Sequence, residues 1–220
     1  MYGYVEEGKK SCLDRRQLWG VWFLWATLPT EGVFCGIRRR RVWKNLRCAG
    51  TRCAVLPEEL VEEAAQYGIL PVEVASLRRA LLPQMLDHFP PLEGKTATLC
   101  APFLTPAVEA AGEELARRAR YLRLNIGQGR EMLAQRLYYR FGLTAGALGE
   151  EVLTVCFGGS ATGRCLCLGE DCSRYQQVTY TVPILEAAGI APREMLLSAL
   201  FQGKHLPKEA ICVKSISTKP

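Results

Sequence analysis

Apolar residues in the carboxy-terminal three-quarters of the chain follow two alternating periods. Short continuous apolar runs, typical of buried strands, are separated by stretches in which apolar residues recur every three or four positions, as on one face of a helix. The helical stretches begin at a proline or a glycine, residues that commonly mark such boundaries. The strand-like runs are 96–101, 121–126 and 152–157, and the helical stripes extend from Val108 to Ala119 and from Leu133 to Phe141.

Strands that alternate with helices predict right-handed βαβ crossovers and a parallel sheet. The pattern changes after residue 158. Residues 164–182 contain strand-like segments with no helix between them, and Val178, Tyr180 and Val182 alternate with polar residues, as in a half-buried antiparallel strand. A last edge strand is expected at 210–216. We therefore predict an α/β fold: a three-layer Rossmann-like βαβαβ unit whose mostly parallel sheet is extended by antiparallel strands near the C-terminus.

Residues 1–50 differ from the rest of the chain in composition. An apolar run at 18–28 follows basic residues, as in a signal peptide, but no small-residue cleavage pattern comes after it. The run is also too short to span a bilayer. We expect residues 1–50 to be a basic, Trp-rich N-terminal extension, poorly ordered, ahead of a single α/β domain at 51–220. All four tryptophans lie in this extension: Trp19, Trp22, Trp25 and Trp43.

The net charge of +6 comes from this first segment alone. Residues 1–50 contain ten Lys and Arg against four acids, whereas the remaining 170 residues carry equal numbers of each sign. A nucleic-acid-binding domain normally presents a basic face. Residues 51–220 therefore give no strong nucleic-acid signal, and a protein partner is more plausibly met by residues 1–50.

Ten cysteines is a high number for this length. Several of them lie inside apolar strand-like runs, where a free cysteine behaves as a small buried hydrophobic residue. A chain long enough to bury a sizeable core does not need a disulfide framework. Together with the absence of a good export signal, this predicts a protein of the reducing cytoplasm with no membrane span.

The first candidate site is the strand-to-helix turn at 125–130. Glycines let the backbone approach a phosphate, and the following helix would offer free N–H groups at its positive end. The dinucleotide fingerprint G-x-G-x-x-G fails at its third glycine, where Met132 stands. A tight connection that needs flexible backbone is the alternative. The candidate ligand-binding residues are Asn125, Gly127, Gly129 and Arg130.

The second candidate site is the glycine- and hydroxyl-rich segment after the strand at 152–157. Backbone N–H groups and hydroxyls in such a loop can cradle a phosphate. The Lys-Ser/Thr of a Walker loop is missing, and the next segment resembles a strand instead of a helix. A hairpin loop explains the composition equally well. The candidate residues are Gly158, Gly159, Ser160 and Thr162.

The third candidate is a group of cysteines around that same loop. Cys165 and Cys167 share one face of a strand, and four thiolates could hold zinc in a tetrahedron. Neither a C-x-x-C pair nor a neighbouring histidine supports the metal, so buried thiols are the alternative. The candidate metal ligands are Cys156, Cys165, Cys167 and Cys172.

The sequence contains no recognisable catalytic constellation. Its two histidines, His88 and His205, have no ligand spacing, and the nucleophile-elbow and zinc-protease motifs are missing. The first hypothesis is a Rossmann-like binding domain for a nucleotide or another small anionic ligand. The alternative is a non-enzymatic interaction protein that uses the Trp/Arg-rich segment or a sheet edge. The second alternative is a cysteine-based metal or thiol protein.

Overall fold

The computed structural model describes residues 1–143, 146, 151–158, 164–170 and 176–218. Backbone contacts divide the chain into two compact units. The first unit contains residues 1–73 and 184–211, and the second contains residues 74–183 and 212–220. Both units therefore draw on segments that are distant in sequence.

The first unit is built on a five-stranded sheet. Its strands, in spatial order, are β2 (Cys12–Leu18), β3 (Val21–Pro29), β1 (Tyr2–Gly8), β4 (Cys53–Val55) and β5 (Leu70–Pro71). Strand β1 pairs in parallel with β3 and with β4, β4 pairs in parallel with β5, and β2 is the antiparallel edge. Two 3₁₀ turns, Glu58–Leu60 and Lys208–Ala210, complete the unit. Its elements are β1 (Tyr2–Gly8), β2 (Cys12–Leu18), β3 (Val21–Pro29), α1 (Cys35–Cys48), β4 (Cys53–Val55), α2 (Val61–Ala65), β5 (Leu70–Pro71), α7 (Pro183–Ala187, its first residue counted in the second unit) and α8 (Glu194–Gln202).

Residues 1–50, predicted to be a poorly ordered extension, contain three strands and one helix of the first unit. The apolar run at 18–28 is largely β3, and its Phe23, Ala26 and Leu28 are fully buried. Trp43 is also fully buried on α1, and its indole N–H donates a 2.8 Å hydrogen bond to Glu63. The segment supplies most of a sheet and one covering helix, so it is part of the core of the first unit. Backbone contacts group residues 1–50 with residues 51–73 and 184–211. The domain boundary near residue 50 stays a prediction.

The second unit contains the predicted βαβαβ order. Strands β6, β7, β8 and β9 form an all-parallel sheet of order β7-β6-β8-β9, and β10 and β11 form a separate antiparallel pair. The prediction of a mostly parallel α/β fold with antiparallel strands near the C-terminus is confirmed. The elements are α3 (Ala75–Ala80), α4 (Leu82–Leu86), β6 (Thr96–Phe103), α5 (Pro106–Arg118), β7 (Tyr121–Gln128), α6 (Arg130–Phe141), β8 (Glu151–Cys156), β9 (Cys165–Cys167), β10 (Gln176–Thr181) and β11 (Cys212–Thr218).

Local sequence explains why α5 begins and packs where it does. The Thr105 hydroxyl accepts a hydrogen bond from the Val108 N–H at 3.2 Å, and Pro106 occupies the first turn, where its missing N–H costs nothing. The buried stripe covers the sheet. Gly112 has no Cβ, so Leu133 of α6 packs directly against it. Glu109 of α5 forms an ion pair with Arg136 of α6 at 2.5 Å on the exposed side.

The connection between β8 and β9 is not a hairpin, contrary to the alternative considered for the glycine-rich loop. Thr154 is paired with Cys165 and Cys156 with Cys167 in a parallel register. The Leu168 N–H also donates to the Cys156 carbonyl at 2.8 Å. The local composition suits a turn, whereas the register shows that Cys165–Cys167 continues the all-parallel sheet. Among the described residues, no helix is long and apolar enough to cross a membrane.

Candidate functional site

Strand register brings distant cysteines onto one face of the parallel sheet. Cys100 on β6 is paired with Cys156 on β8, and Cys156 is paired with Cys167 on β9, so the three occupy one row across three strands. Cys165 lies on the same face one row earlier, opposite Thr154. Side chains two residues apart on a strand share a face. The sheet therefore gathers four thiols although the first and the last, Cys100 and Cys167, are 67 residues apart in sequence.

Three of these thiols form a tight buried cluster, which we call the thiol cluster: Cys156, Cys165 and Cys167. Their Sγ atoms are 3.2 Å apart for Cys156 and Cys165, 3.3 Å for Cys156 and Cys167, and 3.7 Å for Cys165 and Cys167. Each residue is at most 4% exposed. The cluster is the only group of three metal-ligating side chains found in the described part of the chain.

Gln176 at the start of β10 fixes the Cys-Leu-Cys strand. Its side-chain oxygen accepts the Cys167 N–H at 2.9 Å, and its side-chain nitrogen donates to the Cys165 carbonyl. The amide thus bonds the edge of β9 as a neighbouring strand would. The Gln176 carbonyl in turn accepts a 3.0 Å hydrogen bond from Arg78, a fully buried residue of α3.

The neighbouring thiols of the cluster lower the pKa of Cys167. Hydrogen bonds from Cys156 and then Cys165 lower the pKa of Cys167 to about 3, and the positive charge of Arg78 acts in the same direction. Hydrogen bonds to Cys156 and Cys167, together with burial, raise the pKa of Cys165. Burial also raises the pKa of Cys100 in the next strand. A thiolate is the form of cysteine that acts as nucleophile or metal ligand.

A cavity of about 640 Å³ opens at the carboxyl ends of the parallel strands beside this cluster. The chain passes from β6 to β7 on one side and later returns to β8 on the other side, so the strand order reverses between β6 and β8. Ligands of open α/β sheets collect at such a reversal. The lining comes from α3 (Arg79), the end of β6 and the start of α5 (Pro102, Phe103, Thr105, Pro106, Ala107, Val108), the end of β8 (Cys156, Phe157, Gly158) and the end of β9 (Cys167, Gly169, Glu170).

The cavity wall combines a cation with an aromatic ring. The Arg79 side chain donates a 3.0 Å hydrogen bond to the Leu168 carbonyl, and its guanidinium carbon lies 5.9 Å from the centroid of the Phe157 ring. Gly169 lets the segment after β9 pack closely against Phe157, because a Cβ at Gly169 would lie 2.7 Å from the Phe157 carbonyl oxygen. The arrangement places a guanidinium beside an apolar surface, and Glu170 lines the same cavity.

Gly127, Gly129 and Arg130 of the turn line a different depression, at the end of the edge strand β7. The Asn125 amide instead donates to the Cys100 Sγ at 3.7 Å. The glycines of the turn have packing explanations. A Cβ on Gly127 would lie 2.4 Å from the Pro102 carbonyl oxygen. A Cβ on Gly129 would lie 2.6 Å from the Cβ atom of Leu104. Gly129 also has a φ of +86°, a conformation that glycine adopts at little cost. The role of Asn125, Gly127, Gly129 and Arg130 in ligand binding remains a prediction.

Only part of the second and third candidates can be placed. Gly158 lines the cavity, and Cys156, Cys165 and Cys167 come together as the thiol cluster. Gly159, Ser160, Thr162 and Cys172 lie outside the described residues.

Sequence inspection missed the residues that surround the cluster. Arg78 and Arg79 follow a buried leucine in α3, and an arginine in so apolar a segment could have indicated a buried charge partner. Gln176 gave no such signal, since its role depends on the placement of β10 against β9. The chain matches no protein-family model and no curated protein sequence.

Proposed function

We propose that the second unit binds a small anionic molecule in the cavity at the carboxyl ends of β6 and β8. The observation that carries this proposal is the position of the cavity, where the strand order of a parallel sheet reverses. Its volume of about 640 Å³ lies within the range typical of small-molecule sites.

The lining indicates which kind of anion fits. Arg79 supplies a guanidinium that matches a planar carboxylate or sulfonate, and Phe157 offers an apolar face for the rest of the ligand. The start of α5 is less suited to a phosphate chain, because Pro106 has no N–H and Thr105 already accepts the Val108 N–H. These contacts support an aromatic or aliphatic acid with one charged group over a nucleotide polyphosphate.

A substitution that fills the cavity tests the proposal. A Cβ on Gly158 would have its nearest neighbour at 4.0 Å, on the Pro102 ring, so Gly158→Leu adds side-chain volume to the cavity without a backbone clash. The aromatic sulfonate 1-anilinonaphthalene-8-sulfonate serves as the probe, followed by its fluorescence. We expect about tenfold weaker binding in Gly158→Leu, which corresponds to about 1.4 kcal/mol.

Gly36→Leu is the matched control, because a Cβ at Gly36 meets nothing within 4 Å and this glycine belongs to the first unit. Equal binding by Gly158→Leu, Gly36→Leu and the unsubstituted protein would refute the cavity as the site. Competition with ADP separates the ligand classes. Displacement by ADP at concentrations far below those of benzoate would favour the nucleotide hypothesis over a single-charge acid.

A second function is favoured by the exposed face of α1. Arg39 is paired with Glu7 and Glu63, whereas the neighbouring cations of this helix point outward. Three large apolar residues are exposed beside them: Val33, Phe34 and Ile37 are 76%, 66% and 66% exposed. A basic, partly apolar surface suits an acidic protein partner. The outward cations are Arg38, Arg40, Arg41, Lys44 and Arg47.

Charge reversal distinguishes this surface from general basicity. In a pull-down from the native host, Arg40→Glu with Arg41→Glu should lose an acidic partner that the unsubstituted chain retains. Lys9→Glu with Lys10→Glu changes the net charge equally at exposed positions outside α1. A partner lost equally from both double variants would count against α1 as the contact surface.

A further inference from the structure

We infer that Cys156, Cys165 and Cys167 bind one thiophilic metal ion, with zinc as the expected ion, and leave its fourth coordination position open toward the cavity. The three-thiolate site stands independently of the proposed function. The open fourth position rests on the proposed function, because the cavity supplies the space for the fourth ligand.

The sulfur positions are close to those that a tetrahedral metal requires. Zinc–sulfur bonds of about 2.3 Å in a tetrahedron place neighbouring sulfurs roughly 3.8 Å apart. The separations in the thiol cluster are 3.2, 3.3 and 3.7 Å. Small rotations of the cysteine side chains that move the sulfurs apart by up to about 0.6 Å would make room for the ion. Three converging sulfurs select soft or borderline ions, which excludes magnesium and calcium as the expected occupants.

Charge balance favours the same occupant. Zinc with three thiolates carries a net charge of −1, and an unbalanced charge in a buried site is costly. Arg78 is fully buried and acts electrostatically on Cys167. Its guanidinium therefore places positive charge near the site, which partly offsets the negative charge of the metal with three thiolates.

The surroundings of the cluster hold the ligands in place. Gln176 bonds both the Cys165 carbonyl and the Cys167 N–H, which fixes the spacing of two ligands on β9. Cys156 is held by the parallel pairing of β8 with β6 and β9. Groups that orient ligands from outside the first coordination sphere are a regular feature of metal sites. The backbone of all three cysteines is therefore held in place by hydrogen bonds, as expected for metal ligands.

Access and the open position come from the cavity. Cys156 and Cys167 both contribute to its lining, whereas Cys165 lies one row deeper in the sheet. An ion bound by the three sulfurs would thus face the cavity with one position. Three protein ligands with a fourth exchangeable position are typical of zinc sites that bind or activate a small molecule. A ligand in the cavity would reach the metal at that position.

The test is metal content together with cobalt spectroscopy of the full chain, purified without oxygen. Co²⁺ is the probe, because thiolate-to-cobalt charge transfer and visible bands report sulfur ligation and tetrahedral geometry. We expect one equivalent of Co²⁺ to give both signals and one equivalent of Zn²⁺ to abolish them. Cu⁺ is titrated separately. Displacement of zinc by a single equivalent of Cu⁺ would keep the thiophilic site but change its occupant.

Cys167→Ser should lose at least tenfold in affinity for the probe. Cys100→Ser is the matched control, since Cys100 lies in the same row and on the same face but outside the thiol cluster. Equal cobalt spectra for Cys167→Ser, Cys100→Ser and the unsubstituted chain would overturn the site. If Cys167→Ser does not fold, as judged by circular dichroism, the unsubstituted chain still decides, because a spectrum without charge transfer excludes thiolate ligation.

The open position has its own outcome. Azide added to the cobalt form should shift the visible bands, and the Gly158→Leu substitution should weaken that shift. Cys172→Ser should leave cobalt affinity unchanged. Loss of cobalt binding in Cys172→Ser would show a closed four-cysteine site and overturn the open position. No response of the visible bands to azide would also overturn the open position. Metal binding without sulfonate binding would support the metal site and refute the proposed function of the cavity. Sulfonate binding without metal binding would support the proposed function and refute the metal site.

Discussion

Gln176 shows how much one buried amide can determine. It bonds both a carbonyl and an N–H of β9, and it is only 2% exposed. Gln176→Ala would leave those two backbone groups buried without partners. We expect the free energy of unfolding to fall by about 1–3 kcal/mol. Urea denaturation measures the change. Gln177→Ala, at the adjacent exposed position, should stay within about 0.5 kcal/mol, and a similar loss there would contradict the explanation.

Glu63 gives a prediction about pH. Hydrogen bonding to Arg39 lowers the pKa of Glu63 below its ordinary value of 4.5, and Trp43 contributes in the same direction. A carboxylate with a lowered pKa in the folded state stabilises above that ordinary value and loses this contribution as the pH falls through the folded pKa. Glu63→Gln should therefore destabilise the protein at pH 7, by an amount that shrinks below pH about 4.5.

Thermal unfolding of both proteins between pH 7 and pH 3 measures this difference. Glu62→Gln is the control, because Glu62 is exposed on the same helix. A Glu63→Gln deficit that stayed constant across the range would mean that the Arg39 pair is not the source of the stability.

At the scale of elements, two glycines at strand ends should behave in opposite ways. Gly127→Ala places a Cβ 2.4 Å from the Pro102 carbonyl oxygen, so β7 must shift away from β6. We expect a loss of about 1–3 kcal/mol in unfolding free energy. Gly158→Ala meets only the Pro102 ring at 4.0 Å and should change stability by less than about 0.5 kcal/mol. Equal effects in urea denaturation would invalidate the packing explanation of Gly127.

The helices and strands were largely predictable from the sequence, whereas the pairing of the strands was not. Periodicity located β6, α5, β7, α6 and β8, because each element carries its own pattern of buried positions. The thiol cluster depends on register between strands, and no local pattern encodes that Cys156 lies opposite Cys167. The same limit explains why the hairpin alternative was wrong. A short connection ordinarily favours antiparallel pairing, and only the register shows that β9 pairs with β8 in parallel. Candidate residues could be named from composition, but their assembly into one site could not.

The first fifty residues show the same limit at a larger scale. Clustered tryptophans and arginines indicated an extension, because β2 is exposed along almost its whole length and gives no core pattern. The neighbouring β3 has that pattern, but its apolar run also resembles an export signal. What separates the alternatives is the parallel pairing of β1 with both β3 and β4, a long-range contact that single-sequence periodicity does not contain.

Removal of residues 1–50 should consequently destroy the first unit. The deletion takes away β1, β2, β3 and α1, and it leaves only the short strands β4 and β5 of the sheet. The core cluster of this unit would lose Leu28, Trp43 and Leu46, among others, and the apolar partners left behind would be exposed. We expect the shortened chain to be insoluble, or soluble without a cooperative thermal transition followed by circular dichroism.

A control separates loss of the sheet from loss of surface chemistry. Leu13 and Trp22 are 40% and 53% exposed, so replacing both with Ser changes the apolar surface of the segment without removing a strand. This double variant should remain soluble and unfold cooperatively. If the shortened chain also did so, residues 1–50 would be dispensable, as the extension predicted from composition implies. The expected contrast follows from topology, because interior strands of a sheet cannot be removed as an edge segment can.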